Sequence, residues 1–244
     1  VSERDRYRCS FDAVAETYER GRPGYAPQAV EWIAERLPFA DVLDLAAGTG
    51  KLTRQLVALG AHVIAVEPGD GMRAVLERVV PEATALAGSA EAIPLPDASV
   101  DAITVGQAFH WFRTEEALVE MHRVLRPEGG IALLWNIWND DDPIQRGLDE
   151  LVDGGRARGG EDRPSPRDRL AASPLFGPVE EQTFTHPFRA TPDAVVEWVA
   201  STSPVATAAP DERRRIESEV RALIPSVPFE LALDTMVLLA PRIS

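Results

Sequence analysis

The stretch Val42-Leu-Asp-Leu-Ala-Ala-Gly-Thr-Gly-Lys-Leu-Thr53 decides the fold. Its short apolar run reads as a strand, its glycine pair as a tight turn that lets a ligand approach the backbone, and Lys51-Leu-Thr53 as the start of a helix. Asp44 is the discriminating residue. It lies inside the apolar run, just below the glycine turn, where a plain phosphate-binding loop would place an apolar side chain. A site made this way is shaped for a ligand with a positive or hydroxylated end as well as a purine. It points to an enzyme that binds a charged nucleoside.

On either side of this stretch, strand and helix alternate. The pattern predicts strand 41–46, helix 50–59, strand 62–67, helix 70–79, strand 84–88, strand 100–105, helix 114–125 and strand 130–136. Upstream, Phe11, Val14, Ala15 and Tyr18 share a helical face over 11–20. Gly21-Arg-Pro-Gly-Tyr25 breaks that helix, and Pro27 opens another with Val30, Ile33, Ala34 and Leu37 on its buried side. Downstream, Asp140 to Asp142 open a helix over about 143–152, as a solvated cap in preference to the alternative of a cation site. Residues 153–169 are too polar to pack and read as a mobile loop. A strand at 180–188, helices at 192–201 and 210–224, and a closing strand from Phe229 to Leu239 complete the chain. This is an α/β pattern, with a mainly parallel sheet and helices on both faces. A single domain of 244 residues is expected. Its cofactor-binding core would span about 27–137, its cover 1–26 and about 138–180, and its C-terminal helices and strands 181–244.

Composition narrows the function. A formal charge of −14 disfavours a phosphate backbone, so nucleic acid is not an expected partner. No apolar run approaches the ~20 residues that span a bilayer, so no membrane is expected either. The first eight residues have no apolar core for a secretory signal, and a lone Cys9 fits a reducing cytoplasm. Four histidines and one cysteine leave little material for a metal site. Oligomeric state is not legible.

In an open parallel sheet, ligands bind at the carboxyl ends of the strands, near the point where strand order reverses. The informative residues fall there. Gly48 and Gly50 follow the first strand. Glu67 ends the second and lies 17 residues after Gly50, a spacing at which an acid can accept hydrogen bonds from a ribose diol. Ser89-Ala-Glu91 follows the third strand and Gln107-Ala-Phe-His-Trp-Phe112 the fourth.

Val42 to Thr53, Val63 to Pro68, Gly88 to Phe112 and Arg123 to Gly130 resemble the successive motifs of class I S-adenosylmethionine-dependent methyltransferases, over about residues 7–136. Gln107 to Phe112, with Tyr18 and Gly21 to Tyr25 upstream, is similar to a small-molecule subgroup that includes trans-aconitate methyltransferase-like proteins. The resemblance implies a doubly wound, Rossmann-like, seven-stranded sheet with an antiparallel last strand and a helical cover. It implies S-adenosyl-L-methionine as cofactor, S-adenosyl-L-homocysteine as product and a small-molecule methyl acceptor. Asp44, Ala46 and Gly48 would line the methionine end, with Asp44 near its ammonium. Gly48 and Gly50 would let backbone pass the ribose and sulfonium, and Glu67 would hold the ribose hydroxyls. Pro68 and Met72 would flank the adenine, with Ser89, Ala90 and Glu91 at its edge. Gln107 would open toward the transferable methyl.

Three residues are candidates for the chemistry. His110 could take a proton, orient substrate or bond to backbone. Arg22 could hold a carboxylate of cofactor or substrate from a turn that folds over the site as a lid, or brace two helices. Gln107 stands at the fourth strand end. Tyr18, Tyr25, Trp111, Trp135 and Trp138 could wall the acceptor pocket, with core packing the alternative for the tryptophans. If the segment after the fourth strand is extended, Phe109, Trp111 and Phe112 cannot all face the site. The expected reaction is methyl transfer, to oxygen of a carboxylate or hydroxyl. A dinucleotide-dependent oxidoreductase is the first rival, although Asp44 would repel a pyrophosphate and the third fingerprint glycine is missing. A cofactor-binding protein without catalysis is the second.

Overall fold

The computed structural model describes residues 12, 14–153 and 164–243. The expected helix start at Phe11 and most of the expected loop at 153–169 lie outside them. The first helices are α1 (Ala15–Gly21) and α2 (Pro27–Ala34), the latter with proline in its first turn. The alternating part is then β1 (Asp41–Leu45), α3 (Thr53–Ala58), β2 (His62–Val66), α4 (Asp70–Val79), β3 (Thr84–Leu86), β4 (Val100–Gly106), α5 (Thr114–Val124) and β5 (Leu125–Ile137). The remainder is α6 (Pro143–Asp153), α7 (Pro166–Ala171), β6 (Glu180–Ala190), α8 (Pro192–Ala200), α9 (Ser203–Ala206), α10 (Pro210–Leu223) and β7 (Phe229–Pro241).

The strands form one seven-stranded sheet in the order β3-β2-β1-β4-β5-β7-β6. Pairings from β3 through β5 are parallel, whereas β7 runs antiparallel to both β5 and β6. Strand order reverses between β1 and β4, so a crevice opens above their carboxyl ends. Alternation along β1 sends Leu43 and Leu45 into the core under α5 and Val42 into the core under α2 and α3. Asp44 therefore points to the Val42 side. A third apolar cluster joins α6, α8, α9 and α10 through Leu148, Val195, Val199, Val205 and Val220. It stands over the crevice.

Two expectations change. Part of the segment expected as a mobile loop is helix α7, started by a reciprocal capping box in which Ser165 Oγ accepts from the Asp168 amide and the Asp168 carboxylate accepts from the Ser165 amide. The Ser-Pro-x-Asp signal is present in the sequence but sits inside a polar run that masks it. Strand β5 also begins earlier, at Leu125. Its register against β4 jumps from Val100↔Leu125 to Ala102↔Gly130, so the Pro-Glu-Gly segment is an irregularity within the strand.

Candidate active site

Two cavities of about 270 and 140 Å³ lie at the carboxyl ends of β1, β2, β4 and β5, and Tyr18, Arg22 and Gln107 belong to the walls of both. The strand ends that face them are bent. Ala46, after β1, and Gln107, after β4, hold left-handed backbone with φ of 57° and 59°, and Gly48 comes next with 58°. Such a conformation costs a side-chain-bearing residue ~1–3 kcal/mol and persists only where the surroundings enforce it. Gln107 is enforced twice from β5: its amide donates to Leu134 O at 2.8 Å and its Nε2 to Asn136 O at 3.1 Å.

Glu67 ties the floor of the larger cavity together. Its Oε2 accepts from the Gly48 amide at 2.9 Å and its Oε1 from the Gly69 amide at 2.8 Å. The carboxylate is thus fixed between two turns and still faces the cavity. Pro68, Met72, Ser89, Ala90 and Glu91 line the same cavity. Met72 also packs with Ala15 and Val75, joining α1 to α4. Glu91 accepts from the Arg113 amide at 2.9 Å, which anchors the start of α5.

Asp44, expected near an ammonium group, is enclosed by protein. It is 1% exposed and belongs to neither cavity wall. Its carboxylate accepts from Thr53 Oγ1 at 2.6 Å and Thr104 Oγ1 at 3.2 Å. Burial pushes its pKa up to about 6, against these hydrogen bonds, which pull it down. Its charge is felt by Tyr18 and Tyr25. Gly50 lines neither cavity, and a β-carbon there would meet Val80 and Leu76 of the α4 segment at 3.0 and 3.3 Å. It closes the packing of helix on sheet, while Gly48 lines the larger cavity. Trp135 takes the core-packing alternative: it is 8% exposed and lines neither cavity.

The turn between α1 and α2 carries Arg22 and Tyr25, both in the walls of the smaller cavity. It is fixed rather than hinged. Gln55 takes the Tyr25 amide on Oε1 at 3.0 Å and returns Nε2 to the Tyr25 carbonyl at 2.9 Å. Tyr25 and Ala26 are buried. Arg22 donates to Ser201 Oγ at 2.9 Å and Ser201 O at 3.2 Å and lies over the Tyr18 ring. No carboxylate among the described residues pairs with it, and burial lowers its pKa. Tyr25 is raised well above the ordinary phenol range by burial, so its hydroxyl keeps its proton. That hydroxyl meets no hydrogen-bonding partner among the described residues. It hangs over Gly106, where a β-carbon would approach it to 2.3 Å.

Helix α1 is strapped across the larger cavity by side chains at both ends. Asp12 accepts from the Gly71 and Met72 amides, Glu16 pairs with Arg78, Glu19 accepts from Thr49 and Arg54, and Arg20 pairs with Glu197.

After β4 the chain forms a 3-10 turn, Phe109–Trp111, not an extended segment. Phe109 is fully buried, while His110, Trp111 and Phe112 all line the larger cavity. His110 and Trp111 rings lie 4.6 Å apart. Trp138, past β5, lines the smaller cavity and stacks on Trp198 at 4.4 Å. Trp198, Thr202 and Ser203 of the α8–α9 segment, with Asn136, Lys51 and Asp12, are wall residues that sequence reasoning missed. Only Thr202-Ser-Pro204, a helix-start pattern, was legible. Among the described residues no group of three or more His, Cys, Asp or Glu side chains is placed to hold a metal ion.

Residues 43–133 match the family described as a methyltransferase domain. An uncharacterized methyltransferase of Mycobacterium tuberculosis (strain ATCC 25618 / H37Rv) is 40% identical over 221 residues, covering 90% of this chain and 87% of that protein. The chain belongs to the S-adenosylmethionine-dependent methyltransferases. An uncharacterized methyltransferase of Schizosaccharomyces pombe is 35% identical over 227 residues, covering 90% of this chain and 88% of that one. A structure from Anaeromyxobacter dehalogenans, described as a type II methyltransferase, is similar with a TM-score of 0.65 and 27% identity, covering 91% of this chain and 96% of that one. Membership leaves the dinucleotide reading unsupported. The matched span, 43–133, holds Glu67, Gln107 and His110 but not Arg22, Tyr25, Asn136, Trp138 or Trp198.

Proposed function

We propose that the chain methylates a small molecule on oxygen of a carboxylate or hydroxyl, with S-adenosyl-L-methionine as donor. One observation carries the reading. A fixed carboxylate, Glu67, and Arg22, which has no carboxylate partner among the described residues, face cavities that share Tyr18, Arg22 and Gln107 as walls. The donor has a matching shape: a ribose diol at one end, a carboxylate at the other, a sulfonium between.

Bound there, the donor supplies a methyl group that passes to the acceptor oxygen in one in-line displacement, its bonding pair staying on sulfur, with S-adenosyl-L-homocysteine left. Glu67 would accept from the ribose diol, Pro68 and Met72 would flank the adenine, and Ser89 and Ala90 would meet its edge. Arg22 and the Tyr25 hydroxyl would donate to the carboxylate, and Asp44 would attract the ammonium by its field. Gln107 would face the sulfonium. Positioning alone can supply ~7–11 kcal/mol of the barrier. A carboxylate acceptor loses no proton. A hydroxyl acceptor gives one up, and His110 would take it.

Gln107 to Phe112 and the Tyr18–Tyr25 segment favour the trans-aconitate-like subgroup. The core at about 27–137 and covers on either side form one functional unit, acting in the cytoplasm on a free small molecule rather than on nucleic acid. Calorimetry with S-adenosyl-L-homocysteine and with NAD tests the cofactor. Tighter binding of NAD would sink the reading. A panel of carboxylic and phenolic acceptors, monitored by S-adenosyl-L-homocysteine release, tests the acceptor class, and turnover of amines alone would overturn it.

A further inference from the structure

The roof of the smaller cavity hangs on a residue of β7, far away in sequence. Asn136, near the end of β5, pairs directly with Thr235 of β7. The Thr235 hydroxyl accepts from the Ala26 amide at 2.9 Å and donates to Asn136 Oδ1 at 2.7 Å. Asn136 Nδ2 then donates to the Gly24 carbonyl at 2.8 Å. The direction of this chain is forced. A hydroxyl has one proton, and the Ala26 N–H already fills one of its lone pairs. Its proton must go to an oxygen, so the Asn136 amide is oriented with its nitrogen toward Gly24. Asn136 also receives Gln107 Nε2 on its backbone oxygen. One residue thus holds the roof that carries Arg22 and Tyr25 and the floor at Gln107. Thr235 is fully buried and lines neither cavity, so it can act only through these partners.

We infer that Asn136 and Thr235 are positioning residues of the transfer site. They set the height of Arg22 and Tyr25 above Gln107, and so govern recognition of the amino-acid end of the donor but not of its nucleoside. The inference rests on the proposed placement of the donor across the two cavities. It extends that placement to two residues that neither motif nor spacing singled out.

The test compares two probes in calorimetry: S-adenosyl-L-homocysteine, which has the amino-acid end, and 5′-methylthioadenosine, which lacks it. Thr235→Val, nearly isosteric, is expected to weaken the first about tenfold and to change the second less than twofold. Thr235→Ser, which keeps the hydroxyl, is expected to retain the wild-type ratio. Adding Thr235→Val to Arg22→Met should cost little more than Arg22→Met alone, because the two act on the same contact. Equal loss of both probes, unchanged binding of both, or a Ser variant that behaves like Val would overturn the inference. Should Thr235→Val not fold, Asn136→Asp, which opposes an oxygen to the Gly24 carbonyl, replaces it with the same expected ratio. If the wild type binds neither probe, the placement of the donor itself is wrong, an outcome distinct from a failure of the positioning role.

Discussion

The Asp44 carboxylate lies 2.6 Å from the Thr53 hydroxyl in a setting that excludes water. This one contact separates what the acid does from what a strand-end acid would do at the surface. It is ionised only against the cost of burial, and its hydrogen bonds offset part of that cost.

Stability and affinity should both depend on pH through this group. Asp44 titrates near 6 in the folded chain against an ordinary 3.8. Between these values the folded chain holds a proton that the unfolded chain has lost. The group's contribution to stability is therefore greatest below the ordinary value and is lost as pH rises through 6. The full difference is on the order of 3 kcal/mol. Asp44→Asn should melt higher than wild type at pH 7.5, with the gap closing toward pH 4. Affinity for S-adenosyl-L-homocysteine should move the other way in the wild type, falling as pH drops through 6 while the variant's stays flat. Melting curves and titrations across pH check both, and a gap that ignores pH would contradict the account.

Glu67→Gln should weaken S-adenosyl-L-homocysteine and 5′-methylthioadenosine alike, by tenfold or more. The variant turns an NH2 group toward either the Gly48 or the Gly69 amide and removes a charged acceptor, a loss of ~1.5–3 kcal/mol. Calorimetry reads both probes. A loss confined to one of them would place Glu67 away from the ribose.

Arg22→Met should divide the same two probes. The nucleoside fragment should bind as in the wild type, while S-adenosyl-L-homocysteine should lose about tenfold or more, in line with a charge-assisted contact. If S-adenosyl-L-homocysteine keeps its affinity while carboxylate acceptors fail, the arginine serves the acceptor instead.

Gly21→Ala addresses the cover. A β-carbon there would lie 2.4 Å from the Trp198 amide nitrogen and 2.5 Å from the Glu197 carbonyl carbon, both backbone of α8. No rotamer change can relieve this, so α1 must back away from α8. Overpacking of this kind costs ~1–3 kcal/mol. At roughly 2–4 °C per kcal/mol for a chain of this size, scanning calorimetry should show a clear fall in Tm. An unchanged Tm would mean the two helices are already loosely joined.

The alternating core was legible because its signals are local. Val42 to Leu45, the turn at Gly48 and the acid at Glu67 can each be read from residue types within a few positions. The features that stayed hidden depend on which distant element arrives. Gly48 and Gly50 look equivalent in sequence, and only the position of Leu76 and Val80 makes one a cavity-wall turn and the other a packing contact. Asp44 was recognisable as unusual, but its partners Thr53 and Thr104 come from a helix start and a neighbouring strand. Trp135 and Trp138 could not be told apart until the end of β5 was fixed. Trp198 and Thr202 reach the site by helix packing that leaves no periodic mark.

The antiparallel pairing of β5 with β7 has a consequence for how the chain is checked as it assembles. Side chains on one face of β7 recur every second residue, so a slip by one such step would set Leu233 or Val237 against Asn136 in place of Thr235. The slipped strand would still bury a good hydrocarbon face. It would, however, strand the Ala26 amide and Asn136 Oδ1 without partners in a dry interior, at a penalty of ~1–3 kcal/mol each. Apolar contacts alone would tolerate the misalignment. The polar pair makes the transfer site a proofreader of strand register, so that a chain able to grip its donor is also a chain whose sheet has closed correctly.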